Sequence, residues 1–204
     1  MNLENFCLIL DDFLDPSLID EAYSYIREQD FNAFFVKKED VSTGKNYIYD
    51  IIYQTWTKKL SFFENIVGFE VWNNLMTPDN VLDLHCDVYE YHHDLTGEVI
   101  HPLYTSVLYL GPKNQIEGGE LRMSLKHTDA DISLPQGYQK VDEEGRAEKT
   151  SHDWISVPFR YNRLVVFDPK RPHLITNIKS GASKEHPRIG LTMAAWDSEI
   201  TITQ

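Results

Sequence analysis

Apolar residues recur at three- and four-residue spacing in two stretches of the first third of the chain, as on one face of an amphipathic helix. In the first stretch, Asp15 suits the N-cap position and Pro16 suits the first helical position. This pattern predicts a helix over residues 16–28. The second stretch, "YDIIYQTWTKKLSFFENIV", predicts another helix over residues 48–66.

From about residue 69 the pattern changes to short segments rich in β-branched and aromatic residues, which are typical of strands. Gly, Pro, Asn or Asp separates most of these segments, which are "FEVWNNLM", "VLDLHCDVY", "YTSVLYLG", "GELRMSL", "DWISVPF", "RLVVFDP", "HLITNI" and "RIGLTMAAW". Two helices followed by many short strands predict an α+β fold, mainly β, built as a sandwich or jelly roll. Residues 130–153 interrupt the pattern, and we expect them to form a loop or hairpin at the rim.

The length of 204 residues suits one domain. We expect that domain to cover residues 1–204, with helical support over about 1–68 and the β core over about 69–200. No apolar stretch reaches the roughly 18 residues of a membrane span, and the N-terminal "MNLENFCLIL" has no positive charge before its apolar run. We therefore expect a cytoplasmic protein without a membrane partner.

The charged and sulfur-containing residues narrow the classes of function. The net charge is −13, from 19 basic and 32 acidic residues, and binding of nucleic acid depends on Lys and Arg. We therefore expect no nucleic-acid partner.

Cys7 and Cys86 are too few for a disulfide framework or a thiolate zinc site. Any metal ion here would be bound through nitrogen and oxygen.

A candidate metal site begins in the segment "LDLHCDVY", where polar and apolar residues alternate. On a strand, Asp83, His85, Asp87 and Tyr89 would share one face. His173, which follows the turn-like "DPKRP", is the best-placed third ligand. Two imidazoles and one carboxylate form the facial triad of non-haem Fe(II) oxygenases, which leaves coordination positions open.

Other residues could compete for these roles. A second His-x-Asp, residues 127–129, lies in a stretch without apolar alternation, so we favour the first. His92 and His93 would face opposite ways on a strand, which suits a rim better than a metal site. Cys86 should face away from the metal as a small buried apolar residue.

A candidate anion-binding residue lies on the last strand segment. Arg188 would share a face with Gly190, Thr192 and Ala194. These small residues leave space for a ligand that the guanidinium could bind in bidentate fashion.

Taken in order, these segments resemble the Fe(II)/2-oxoglutarate-dependent dioxygenases, and among them the prolyl 4-hydroxylase-like branch. The resemblance covers roughly residues 69–196. It rests on five segments in the family's order, "HCD", "YTSVLYLG", "EGGEL", "FRYNRLVVFDPKRPHLITNI" and "PRIGLTMAAW". The chain departs from the family at Gly111, where an asparagine is common, and at Ala194, where an aromatic residue is frequent.

The resemblance implies a double-stranded β-helix, or jelly roll, with the N-terminal helices packed on one sheet. It implies Fe(II) at His85, Asp87 and His173, and 2-oxoglutarate and O2 as cosubstrates. Arg188 would bind the distal carboxylate of 2-oxoglutarate, Tyr109 would hydrogen-bond to it, and Thr105 would line the same pocket. Residues near these segments that could contact the substrate are Trp72, Asn74, Tyr91, Arg122 and Arg171.

The implied reaction is hydroxylation of an unactivated C–H bond with succinate and CO2 as co-products. The branch suggests an amino-acid side chain as substrate, free or in a peptide, with proline as the family-level example. The "KKEDVSTGKNY" loop and residues 130–153 are candidate lids. Three alternatives remain: another oxidative outcome, a non-catalytic jelly-roll binding module, and a cupin-type metal enzyme without 2-oxoglutarate. The sequence leaves the oligomeric state open.

Overall fold

The computed structural model describes residues 7–28, 31, 33–79, 82–124 and 154–202. The second His-x-Asp and the interruption at residues 130–153 lie outside the described residues. In the described part, the chain forms three α-helices, which are α1 (Pro16–Glu28), α2 (Tyr47–Ile52) and α3 (Glu90–Thr96). None of these helices is long and apolar enough to cross a lipid bilayer.

The predicted first helix is confirmed as α1, and the Asp15 side chain accepts a hydrogen bond from the Ser17 N–H at its start. The second prediction is correct for its beginning and wrong for its end. After α2 the chain continues as a π-helix over Tyr53–Lys59, in which the Leu60 N–H bonds to the Thr55 carbonyl. The chain then turns where the Phe63 N–H bonds to the Leu60 carbonyl. This turn lets Phe63 pack on Trp56, with the ring centroids 5.6 Å apart.

The described residues form twelve strands. They are β1 (Cys7–Leu10), β2 (Phe34–Lys37), β3 (Gly68–Met76), β4 (Leu82–His85), β5 (Tyr104–Gly111), β6 (Glu117–Gly118), β7 (Leu121–Ser124), β8 (Trp154–Val157), β9 (Leu164–Phe167), β10 (His173–Ile175), β11 (Ile178–Ser180) and β12 (Arg188–Trp196). Each segment from residue 69 onward that was predicted to form a strand contains one, so this part of the prediction is confirmed.

Two antiparallel sheets build the β core. One has the order β1-β9-β5-β12-β3-β2, and the other has the order β4-β10-β7-β8. Among the eight core strands, the first pairs with the last (β3 with β12), the second with the seventh (β4 with β10), the third with the sixth (β5 with β9) and the fourth with the fifth (β7 with β8). This nested pairing is the jelly roll that the sequence analysis expected.

Strands β1 and β2 were not predicted. They extend the six-stranded sheet, β1 by pairing with β9 and β2 by pairing with β3. The N-terminal part of the chain therefore contributes to the sheet as well as to the helical layer.

Two hydrophobic cores lie on opposite faces of the six-stranded sheet. The outer core joins that sheet to the helices and includes Ile19, Ile51, Trp56, Leu191 and Met193. The inner core lies between the two sheets and includes Met76, Val107, Met123, Val165 and Ile175. The helices thus pack on one sheet, and the space between the sheets is left for the candidate site.

Candidate metal centre

The structure brings His85, Asp87 and His173 together. One ligand atom from each residue lies within 4.8 Å of the other two. The Nε2 atom of His85 is 3.7 Å from Asp87 Oδ1, and the Nε2 atom of His173 is 3.5 Å from the same oxygen. Two nitrogens and one oxygen therefore face a common point.

Strand pairing explains how residues so far apart in sequence meet. His173 begins β10 and is the direct register partner of His85, which ends β4. The backbone that carries Asp87 to this point is not the strand that was predicted. The strand ends at His85, and Asp87 lies beyond it, where its N–H bonds to the carbonyl of Pro169 at 3.3 Å.

The prediction that Asp87 and Tyr89 continue the strand face of His85 is therefore wrong. The chain leaves the sheet after His85 and enters α3, in which His92 and His93 lie. Tyr89 packs edge-on against Trp196 with the ring centroids 5.9 Å apart. Alternation of polar and apolar residues continues past the strand, but the backbone pairing does not.

Hydrogen bonds orient each ligand toward the common point. Nδ1 of His85 donates to the Asp83 carbonyl at 2.6 Å, and Nδ1 of His173 donates to the Arg171 carbonyl at 2.9 Å. Because a carbonyl can only accept, these bonds place the proton on Nδ1 and leave a lone pair on Nε2. The Thr105 hydroxyl donates to Asp87 Oδ2 at 2.6 Å, which leaves Oδ1 for the common point.

The charges of these groups also suit a divalent cation. Burial opposes ionisation of Asp87, but His173 and His85 outweigh it and lower the pKa of Asp87 to about 2. Burial lowers the pKa of His85, whereas for His173 the charge of Asp87 overcomes burial and raises the pKa. The centre therefore holds an ionised carboxylate and an imidazole that burial keeps neutral. This donor set of two nitrogens and one oxygen fits Fe(II).

A buried arginine lies in the same cavity. Arg188 is 1% exposed, and its Nε and Nη2 have no hydrogen-bond partner among the described residues. Its Nη1 contacts the sulfur of Met76 at 3.6 Å. Burial lowers the pKa of Arg188, because a charged guanidinium loses favourable solvation free energy in the interior. An unpaired buried guanidinium is the donor group that a carboxylate ligand would satisfy.

Aromatic rings and a glycine position the Arg188 side chain. Its guanidinium carbon lies 4.7 Å from the ring centroid of Tyr109 and 5.5 Å from that of Phe159. Gly119, with φ of +64°, approaches so closely that an added Cβ would lie 3.2 Å from Arg188 Cδ. Glycine tolerates this positive φ, and its lack of a side chain makes space for the arginine in the "EGGEL" turn.

Two connected spaces surround these groups. The inner cavity is lined by the triad, Arg188, Thr105 and apolar residues of both sheets, including Val107, Leu121, Phe167 and Ile175. An open groove lies outside it. Trp72, Leu82, His85 and Asp87 line both spaces, so the groove and the inner cavity meet at the triad.

The other expected site residues take different positions. Trp72 and Asn74 line the inner cavity, and Thr105 lines it while bonding Asp87. Tyr109 is fully buried beneath Arg188, and burial raises the pKa of its hydroxyl, which has no hydrogen-bond partner among the described residues.

Three expected substrate residues line neither space. Tyr91 lies in α3. Arg122 lies between Leu121 and Met123 of β7, whose side chains face the inner core, so its own side chain faces away from that core. Its Nη2 lies 3.6 Å from Glu120 Oε2. Arg171 is buried, and its Nη1 donates to the Ser124 carbonyl at 2.9 Å, which is a structural contact between the two ends of neighbouring strands. The "KKEDVSTGKNY" loop, one of the two candidate lids, also lines neither space.

Sequence reasoning missed three residues that touch the site. His101 contacts the Asp87 carbonyl through Nδ1 at 2.7 Å, Phe159 stacks on Tyr109, and Glu70 lines the outer groove. Glu70 could have been found from the alternation along β3, since it shares a strand face with Trp72. No local pattern marks His101 or Phe159, which lie between strands.

Comparison with known proteins rests on structure alone. No family profile matches the sequence, and a search of curated proteins found no match. Many solved structures are similar to this one. A prolyl 4-hydroxylase from Pseudomonas putida is 17% identical with a TM-score of 0.58, covering 93% of this chain and 84% of that one.

Two further structures extend the comparison beyond that prolyl 4-hydroxylase. Iron-bound HygX from Streptomyces hygroscopicus is 13% identical with a TM-score of 0.56, covering 93% of this chain and 81% of that one. A prolyl hydroxylase from Trichoplax adhaerens, in complex with a hypoxia inducible factor peptide fragment, is 14% identical with a TM-score of 0.51, covering 95% and 84%. The chain therefore has the fold of the prolyl-hydroxylase-like Fe(II)/2-oxoglutarate oxygenases.

Proposed function

We propose that this protein is an Fe(II)- and 2-oxoglutarate-dependent dioxygenase that hydroxylates an unactivated C–H bond of an amino-acid side chain, free or within a peptide. One observation carries the proposal. A single cavity contains both a His-Asp-His cluster with converging ligand atoms and a buried arginine whose Nε and Nη2 lack partners. A metal site alone would not require that arginine.

Each end of the cavity would hold one part of the reactive complex. His85, Asp87 and His173 would hold Fe(II), and Arg188 would hold the distal carboxylate of 2-oxoglutarate with Tyr109 beside it. When bound, iron and 2-oxoglutarate supply the activation of O2 and the oxidation of the C–H bond, with succinate and CO2 as co-products. HygX, which has the same fold, has been solved with nickel and 2-oxoglutarate bound.

The residues of the chain would orient and shield these groups. Thr105 holds Asp87 through its Oδ2, and the carbonyls of Asp83 and Arg171 hold the two imidazoles. The apolar lining, Val107, Leu121, Phe167 and Ile175, excludes bulk water from the inner cavity. Preorganised ligands lower the cost of binding the metal because little must be reordered.

The proposed substrate class is supported by the outer groove and by the molecules bound in structures of the same fold. Among proteins of this fold, one structure contains a peptide fragment and another contains hygromycin B. Both are consistent with an outer groove open to solvent. An amino-acid side chain remains our proposal, with proline as the family-level example, and the cytoplasm remains the expected location.

An anaerobic titration with Fe(II) and 2-oxoglutarate, followed by exposure to O2 with a panel of amino acids and peptides, tests the proposal. We expect metal-dependent succinate formation and a product that gains one oxygen atom. The His85→Ala variant should form no succinate, whereas Asp79→Ala, an exposed aspartate outside both spaces, should behave as the wild type.

Two results would replace the proposal with an alternative. If no panel member yields succinate and His85→Ala leaves the binding of the panel intact, the protein is a binding module. If oxidation proceeds without 2-oxoglutarate and survives Arg188→Ala, it is a cupin-type enzyme.

A further inference from the structure

The outer groove is the space through which a substrate would reach the metal centre. It encloses about 830 Å³ and shares Trp72, Leu82, His85 and Asp87 with the inner cavity. The inner cavity contains Arg188, which is 1% exposed and has two unpartnered nitrogens. The groove is thus the outer half of a ligand site, and its lining should reflect the substrate.

Negative charge dominates that lining. Five of the twelve described residues that line the groove carry carboxylates, and none is Lys or Arg. Asp87 is the candidate metal ligand, and the other four carboxylates are Glu70, Asp83, Glu90 and Asp94. The whole chain has 32 acidic and 19 basic residues, so the absence of any basic residue from this part of the lining exceeds the general acidity of the protein.

These four carboxylates are not neutralised by the described parts of the chain. No Lys or Arg there forms an ion pair with any of them. The polar groups beside them include His93, whose Nδ1 lies 3.9 Å from Asp94, and the indole N–H of Trp196 near Glu70. By contrast, some acidic residues elsewhere are paired with a cation, as Asp11 is with Arg160 and Arg163. An acidic groove with low-dielectric walls concentrates cations.

Glu70 is the innermost of the four. It lies on β3 opposite Ala194 of β12 and is partly buried, and burial together with the charge of Asp87 raises its pKa to about 7. Trp72 follows on the same strand face and lines the groove beside it. An indole face next to a carboxylate is a common setting for an ammonium or guanidinium group.

The apolar part of the lining indicates what would carry that cation. Ala33, Leu82 and Val88 line the groove together with Trp72. Apolar walls ending in carboxylates match a side chain with a hydrocarbon stem and a charged head, as in lysine or arginine.

We propose that the substrate of the oxygenase is cationic, with an ammonium or guanidinium group on an apolar stem that binds Glu70, Trp72 and the outer carboxylates while the target C–H bond faces the metal centre. This inference rests on the function proposed above and narrows it. It favours basic side chains over proline, because a prolyl ring has no charge for these carboxylates to bind.

Direct binding measurements test the inference without turnover. The protein is loaded with Ni(II) and 2-oxoglutarate, and four probes are titrated by calorimetry: the Nα-acetyl methylamides of lysine, arginine, norleucine and glutamate. Since several carboxylates act together on one cation, we expect the lysine and arginine probes to bind at least about tenfold more tightly than norleucine. Glutamate should bind most weakly.

Variants of the groove locate the effect. In Glu70→Gln/Asp94→Asn the advantage of lysine over norleucine should fall to about threefold or less, a loss of roughly 0.7 kcal/mol or more. Asp94→Asn alone, at an exposed position, should reduce the advantage of lysine over norleucine partially. This single variant provides a readout if the double variant does not fold. Asp79→Asn, outside the groove, should leave the ratio unchanged.

The outcomes separate this inference from the proposed function. Equal binding of norleucine and lysine, tighter binding of glutamate, no detectable binding of the cationic probes, or an unchanged ratio in both groove variants would overturn the cationic substrate. Binding of Ni(II) and 2-oxoglutarate is measured first, without any probe. Failure at that step overturns the oxygenase function, and selective binding of cations by the groove would then stand as a separate property.

Discussion

The two faces of the six-stranded sheet differ in the side chains that they bury. Along β12, Ile189, Leu191 and Met193 point into the outer core beneath the helices, while Arg188 and Thr192 point into the inner cavity. The outer face buries apolar side chains against apolar partners. The inner face buries polar groups beside its apolar residues, and two nitrogens of Arg188 there have no described partner.

This difference indicates which face supplies stability and which supplies binding. Burial of apolar area stabilises the fold, at roughly 25 cal/mol per Å². A buried polar group without a hydrogen bond does the opposite, since its desolvation is not compensated. Substitutions on the outer face should therefore reduce the free energy of unfolding, and substitutions on the inner face should reduce ligand affinity.

The largest effect is expected from Asp87→Ala. Removal of the triad carboxylate takes away a metal ligand and its charge, so iron content after dialysis should fall to background. Metal analysis of the dialysed protein checks this, with the exposed Asp79→Ala as the matched control. Full iron content in Asp87→Ala would show that the triad is not the metal site.

Next in size is Leu191→Ala on the outer face. Leu191 is fully buried, and removal of its side chain leaves a cavity, so the free energy of unfolding should fall by about 2–5 kcal/mol. Chemical denaturation measures this loss. Leu95→Ala, at a leucine that is 67% exposed, should change the free energy by less than about 0.5 kcal/mol. Provided that Leu191→Ala is folded, its affinity for 2-oxoglutarate should match that of the wild type.

Arg188→Met should show the opposite behaviour. Without the guanidinium, 2-oxoglutarate should bind at least about 30-fold more weakly, since loss of a buried charged partner costs about 2 kcal/mol or more. In the absence of 2-oxoglutarate the variant should be at least as stable as the wild type, because an uncompensated buried cation has been replaced by an apolar side chain.

Thermal unfolding with and without 2-oxoglutarate reports both effects of Arg188→Met. Arg160→Met, at an exposed arginine that pairs with Asp11 and Asp12, serves as the control and should retain the stabilisation by 2-oxoglutarate. A normal shift of Tm by 2-oxoglutarate in Arg188→Met would contradict the assignment of this residue.

The smallest effect is expected from Thr105→Val. This change removes the hydrogen bond to Asp87 Oδ2 and keeps the shape of the side chain, so iron should bind about tenfold more weakly. Thr105→Ser should restore most of the affinity. Thr55→Val, at a buried threonine of the π-helical segment, should leave iron affinity unchanged. Equal iron affinity in Thr105→Val and the wild type would show that this hydrogen bond does not orient the carboxylate.

The amino-acid sequence by itself determined much of the local structure. Asp15 and Pro16 mark the beginning of α1, and the β-formers of residues 188–196 form β12, because capping and alternation act between neighbours in sequence. The order of the motifs also indicated which two histidines and which aspartate to join. The structure places these three residues together.

Only the tertiary structure decided how those pieces meet. The end of β4 at His85, the helix α3 and the addition of β1 and β2 to the sheet depend on pairing between distant strands. Likewise, only the packing of the chain brings the Phe159 ring to 5.5 Å from the guanidinium carbon of Arg188. Alternation defines the two faces of a strand, but the partner of each face is set by contacts between residues far apart in the chain, and these leave no local pattern in the sequence.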